Sequence, residues 1–96
     1  MTQEKAAHTK DAQALYTAIA SLKNQEEIRK FLRDVMTIQE IKEVAERWNV
    51  ARQLDKGQSY RTIASKTGVS TTTIGRIAHW LHDGEGGYQL ALDKQK

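Results

Sequence analysis

Ninety-six residues with 39% hydrophobic content form one small domain with little surface to bury by itself, so a second subunit is expected to complete the core. The absence of cysteine excludes disulfide frameworks, thiolate zinc sites and cysteine nucleophiles, and suits a reducing cytoplasm. A formal net charge of only +3 excludes a globally basic coat, so any affinity for a polyanion must come from how the charge is distributed.

In chain order, MTQEKAAHTKDAQAL lacks the continuous apolar core of a secretory signal, and no later stretch approaches the roughly 18 apolar residues of a membrane span. The expected location is the cytoplasm, with no membrane partner. Proline is absent, so glycine at 57, 68, 75, 84, 86 and 87 punctuates the chain. Ala12, Leu15, Tyr16, Ile19 and Leu22 recur at helical spacing and predict a first amphipathic helix. Asn24 with Glu27 resembles a capping box and opens a second helix, whose stripe is Ile28, Phe31, Leu32, Val35 and Met36. Thr37 with Glu40 repeats the device in its regular form. The third helix carries Ile38, Ile41, Val44, Ala45, Trp48, Ala51 and Leu54 and ends at Gly57, a natural left-handed terminator. Residues 10–57 thus read as dimerisation helices.

From Lys56 to His82 there is no acidic residue. Lys56, Arg61, Lys66 and Arg76 are fixed cations in this window, and His79 and His82 are conditional ones, which gives the segment a positive local potential. Its core, QSYRTIASKTGVSTTTIGRI (Gln58 to Ile77), predicts two short helices around a tight turn: Ser59 caps Tyr60 to Thr67, Gly68 turns the chain, and Ser70 caps Thr71 to about Leu81. A small residue, Ala64, lets the helices cross closely, and Ile63, Val69, Ile74 and Ile77 lock the angle. Residues 58–82 form a helix-turn-helix pattern, in which serine, threonine and arginine near the start of the second helix meet base edges and phosphates in the major groove. Lys66, near the turn, is placed for a phosphate contact, and the amide end of the second helix at Ser70 is a phosphate site by its dipole and free N–H groups. Residues 83–96 complete the chain as a glycine-rich loop and a last short helix, Tyr88 to about Asp93.

The span from about Ile28 to Leu92 resembles the Trp repressor family, most closely its YerC/YecD-like branch. QSYRTIASKTGVSTTTIGRI and the tail WLHDGEGGYQLAL carry the resemblance. It implies an all-helical fold of about six helices and an intertwined homodimer whose two reading heads enter successive major grooves about 34 Å apart, on a palindromic operator. Carried across, Arg61 falls where the first motif helix contacts DNA, and Thr71, Thr72 and Thr73 fall at the start of the reading helix. Arg47 and Arg76 match the two arginines that sandwich tryptophan in the repressor, with one residue deleted after Gly57. Ile77, however, stands where the repressor has the glycine that makes room for an indole, and Trp80 where it has a serine. Both changes add bulk, and overpacking typically costs about 1 to 3 kcal/mol. L-Tryptophan is therefore not expected as corepressor; Trp80 is expected to be core, the alternative being that Trp80 or another aromatic of the chain fills the cleft permanently and holds the reading head in a DNA-competent pose.

Other chemistry is not expected. His79 and His82 lie three apart on a helix, but only Asp83 stands near as a third ligand, so no metal site is anticipated. Lys66, Thr67 and Gly68 match a beta-lactamase signature by letters alone, and Gly84, Gly86 and Gly87 follow a helix rather than a strand, which does not suit a dinucleotide cradle. No cofactor or catalytic arrangement is foreseen. The expected function is a homodimeric, sequence-specific DNA-binding regulator that represses transcription. Two alternatives remain: the DNA-binding fragment of a recombinase or transposase, and a helical adaptor that binds protein through its apolar N-terminal stripes.

Overall fold

Apolar residues at helical spacing between capping residues, with no proline to interrupt them, fold here into successive helices. The computed structural model describes residues 3–96, with no strand among the described residues. Seven helices follow in order: α1 (Gln3–Ala6), α2 (Lys10–Ala20), α3 (Gln25–Val35), α4 (Ile38–Asp55), α5 (Tyr60–Thr67), α6 (Thr71–Asp83) and α7 (Gly87–Lys94). The one beyond the expected six is α1, a single turn whose link to α2 includes the Tyr16 hydroxyl donating to the Ala7 carbonyl at 2.9 Å.

Helix starts follow local hydrogen-bond chemistry. Thr9 caps α2, its hydroxyl accepting from the Ala12 N–H at 3.1 Å. At α3 the Asn24 side chain accepts from the Glu27 N–H, while the Glu27 carboxylate reaches back one residue further than in a standard capping box and accepts from the Lys23 N–H, both at 2.9 Å. Further along α3, the Arg29 guanidinium donates to both oxygens of Glu26, and these bonds hold the Glu26 carboxyl below the usual carboxylate range. The end of α4 is a Schellman motif: Gly57, at φ +82°, donates to the Leu54 carbonyl and Gln58 to the Gln53 carbonyl.

Packing divides the chain into two compact units, one reaching to Ile38 and the other spanning Gln39–Lys96. In the first, the apolar stripes have formed on helices but are only partly covered, with Leu22, Phe31, Leu32 and Met36 half-buried. No residue of α2 or α3 is buried, and Leu15, Tyr16, Ile19, Ile28 and Val35 are exposed. The second unit has a core. Val50 and Ala51 of α4 meet Ile63 of α5, Val69 of the turn, and Ile74 and Ile77 of α6, with Trp48, Leu54, Ala64 and Tyr88 packed around them. Ile63 and Ile74 are fully buried, and truncating such a residue to alanine costs about 2 to 5 kcal/mol. Val50 lies outside the stripe predicted for this helix yet is fully buried beside Ala51, because α5 and α6 cover that face together with its Trp48 and Leu54 neighbours.

Candidate nucleic-acid interface

The two short helices are built by the same device used twice. Ser59 Oγ accepts from the Thr62 N–H at 3.1 Å and donates to Thr62 Oγ1 at 2.9 Å; Ser70 Oγ accepts from the Thr73 N–H at 3.2 Å and donates to Thr73 Oγ1 at 3.0 Å. Between them Gly68, at φ +78° and ψ 1°, donates to the Ala64 carbonyl and stops α5. The left-handed conformation strains any residue with a Cβ, so glycine is the residue suited to this corner. Thr67 completes the turn, its hydroxyl donating to the Ile63 carbonyl and accepting from the Val69 N–H. Ile63, Val69, Ile74 and Ile77 are all buried, which fixes α6 against α5 and α4.

Position sorts the three threonines. Thr73 is engaged by the Ser70 cap, whereas Thr71 and Thr72 are exposed and their hydroxyls have no partner among the described residues. Arg61 and Arg76 are also exposed, with no ion-pair partner among the described residues. Lys66 leans back along α5, its Nζ 3.5 Å from Gln58 Oε1, and remains exposed. The N-terminal turn of α6 carries no acidic side chain, so the partial positive charge of its free amides is not offset there. At the other end, Asp83 closes the acid-free window and lies 3.7 Å from His79 Nδ1. No group of three or more metal-ligating side chains occurs among the described residues. No described helix is long and apolar enough to cross a membrane.

Behind α6 lies a cleft of about 430 Å³ lined by Arg47 of α4, by Thr73, Arg76, Ile77 and Trp80 of α6, and by Tyr88 of α7. The structure thus brings together the four side chains read from the sequence as an effector pocket. It places Trp80 differently from the expectation of a core residue: the indole lines the cleft and stays 53% exposed, with the His79 ring edge-on at 5.7 Å. The reason is register, since Ile74, Ile77, Ala78 and Leu81 occupy the buried face of α6 and leave Trp80 to one side. Tyr88 was not singled out by sequence reading. Its ring stacks on Trp48, with centroids 6.4 Å apart and planes 6° from parallel. The partner lies forty positions earlier, and only the Tyr88, Leu92 spacing on α7 signals an inward face.

Comparison with known proteins agrees with this geometry. The family model described as Trp repressor protein matches residues 10–96. YerC, an uncharacterized protein of Bacillus subtilis (strain 168), is 42% identical over 87 residues, covering 91% of this chain and 84% of its own. A TrpR-like protein from Eubacterium eligens has a crystal structure that superposes with a TM-score of 0.88 at 37% identity, covering 95% of this chain and 94% of that one. The crystal structure of a candidate Trp repressor from Staphylococcus aureus gives a TM-score of 0.87 at 33% identity, with 99% and 95% coverage. A helix-turn-helix with an exposed, threonine-led second helix, set in a chain matched almost throughout, has one consistent classification: this protein belongs to the Trp repressor family, in its YerC-like branch.

Proposed function

We propose that the protein is a sequence-specific DNA-binding regulator of transcription, acting as a homodimer on a palindromic operator and repressing by occupying promoter sequence. The observation that carries this reading is the α6 N-terminus: Thr71 and Thr72 present unpartnered hydroxyls on a rigidly capped helix, inside a stretch with no acid from Lys56 to His82. Thr71, Thr72 and Thr73 face base edges, with Arg61 as a further base contact; Ser70, Lys66 and Arg76 act on phosphates. Thr73 Oγ1 accepts from Ser70, which fixes the side chain and leaves its hydroxyl proton to donate to a base edge. The dimer is supported by the only partly covered stripes of α2 and α3, which in water need a second apolar surface. Repression, rather than activation, follows the family name.

The cleft is proposed as the remnant of an effector pocket from which L-tryptophan is excluded. Arg47 and Arg76 line it without a carboxylate partner among the described residues, and its volume falls in the ordinary range for small ligands. Ile77 and Trp80 nevertheless line the same cleft and add bulk there. Calorimetric titration is expected to give no saturable heat with micromolar L-tryptophan, and saturation would restore it as corepressor.

Selection of bound duplexes from random DNA tests the function itself. The expected product is a palindromic consensus with half-site centres about 10 base pairs apart. Enrichment of no sequence would remove the regulator reading. A chain that remains monomeric and indifferent to DNA would favour the adaptor.

A further inference from the structure

We infer that Tyr88 is a positioning residue for the reading helix: with Trp48 it forms a built-in aromatic strut that holds α6 against α4, so the DNA-competent pose needs no dissociable ligand. The inference rests on α6 being the helix that enters the groove.

The cleft is bounded by α4 and α6: buried Ile74 and Ile77 hold the inner face of α6 against α4, and α7 supports α6 from the cleft side. Tyr88 stands at that boundary. It lines the cleft together with Arg47 on one side and Thr73, Arg76, Ile77 and Trp80 on the other, and its ring stacks on Trp48 of α4. The same tyrosine is tied closely to α6 by the chain. Gly84 donates to the Trp80 carbonyl at 3.0 Å, and a Cβ at this position would collide with the Trp80 carbonyl oxygen. Gly86 at φ +84° then reverses the backbone into α7. The three-residue link sets the start of α7 beside the end of α6. Toward its other end α7 buries Leu92; Lys96 Nζ lies 3.7 Å from Asp55 Oδ2 of α4 and equally from Asp93 Oδ1, an exposed arrangement that adds little. Helix α7 is therefore a brace, joined to α6 by a three-residue link and seated by the Trp48–Tyr88 stack near its start and buried Leu92 near its end. Rigid aromatic rings suit this role because two torsions fix a large contact surface.

The test uses the full-length protein. Tyr88→Phe keeps the stack and is expected to bind the selected duplex within about twofold of the parent. Tyr88→Ala removes it and is expected to bind about tenfold or more weakly while remaining folded by circular dichroism, with part of the loss restored by millimolar p-cresol. If Tyr88→Ala does not fold, Tyr88→Leu, which retains apolar volume without the aromatic stack, is expected to fold and show the same weakening. Hydrogen exchange on the DNA-free protein separates this inference from the DNA reading: the variant that folds should exchange faster along α6 than the parent, with α4 amides unchanged. Parent-like exchange along α6, or parent-like DNA affinity in a folded Tyr88→Ala or Tyr88→Leu protein, would overturn the strut. Failure of the parent to bind any duplex, with α6 exchange still raised in the variant, would overturn the DNA reading alone.

Discussion

Ser70 does two things at once, and substitutions can separate them. Its hydroxyl caps α6 through the Thr73 N–H, a bond whose loss in Ser70→Ala should cost about 1 kcal/mol of stability in urea titration. Ser70→Asp retains a capping oxygen and should keep the stability of the parent. It also places a negative charge where a phosphate would lie, so the same variant is expected to lose DNA affinity. Thr72→Ala and Arg61→Ala should each remove about 1 to 3 kcal/mol of discrimination between the selected sequence and a scrambled one, measured by competition. Lys66→Ala is different: it should weaken binding on all sequences alike and reduce the salt slope by about 1. An equal loss on all sequences for Thr72→Ala would move that residue from base contact to backbone contact. The Arg29–Glu26 bond, by contrast, has little bearing on stability. Because the Glu26 carboxyl is depressed in the folded state, its contribution is present above the ordinary carboxylate range and fades as pH falls through the folded value. Both side chains are well exposed, so solvent and salt screen the pair.

Among the elements, α5 and α6 were the most legible in the sequence, because each boundary has a local chemical cause. Ser59, Gly68 and Ser70 stand where hydroxyl caps and a left-handed corner are required, and the helix bounds at Tyr60, Thr67 and Thr71 follow from them. Gly68→Ala should cost about 1 to 2 kcal/mol, since alanine must then adopt the left-handed conformation. Gly75 sits inside α6 with no such demand, and a Cβ there would meet the Tyr60 ring at an ordinary 3.8 Å. Gly75→Ala is therefore expected to raise stability by about 0.5 to 1 kcal/mol, seen as a higher urea midpoint at unchanged slope. What the sequence concealed depends on pairing between distant positions. Val50 looks like an off-stripe residue until α5 and α6 cross α4, and Trp80 looks like core until Ile77, Ala78 and Leu81 take the buried face. The Trp48–Tyr88 stack joins α4 to α7 and has no signature in either helix alone.

At the scale of the whole molecule, stability is unevenly distributed. The unit from Gln39 to Lys96 has its own core, whereas α2 and α3 are amphipathic helices with no buried residue. Helices of 11 residues are marginal in water without tertiary packing, so the N-terminal unit should draw its order from a second chain. Melting temperature should accordingly rise with protein concentration, and Ile19→Asp or Ile28→Asp should shift sedimentation from dimer toward monomer. Two linked reading heads would also multiply their affinities, so a monomeric variant should lose operator binding far beyond the loss from any single base contact.

If the threonine-led end of α6 is presented to DNA twice, by two chains related by symmetry, hydroxyl-radical footprinting on the selected duplex should show it. Two protected patches are expected about one helical turn apart, related by the dyad of the sequence, and both should be lost in Thr71→Asp/Thr72→Asp protein that remains dimeric. A single patch, or protection unchanged by those substitutions, would contradict it.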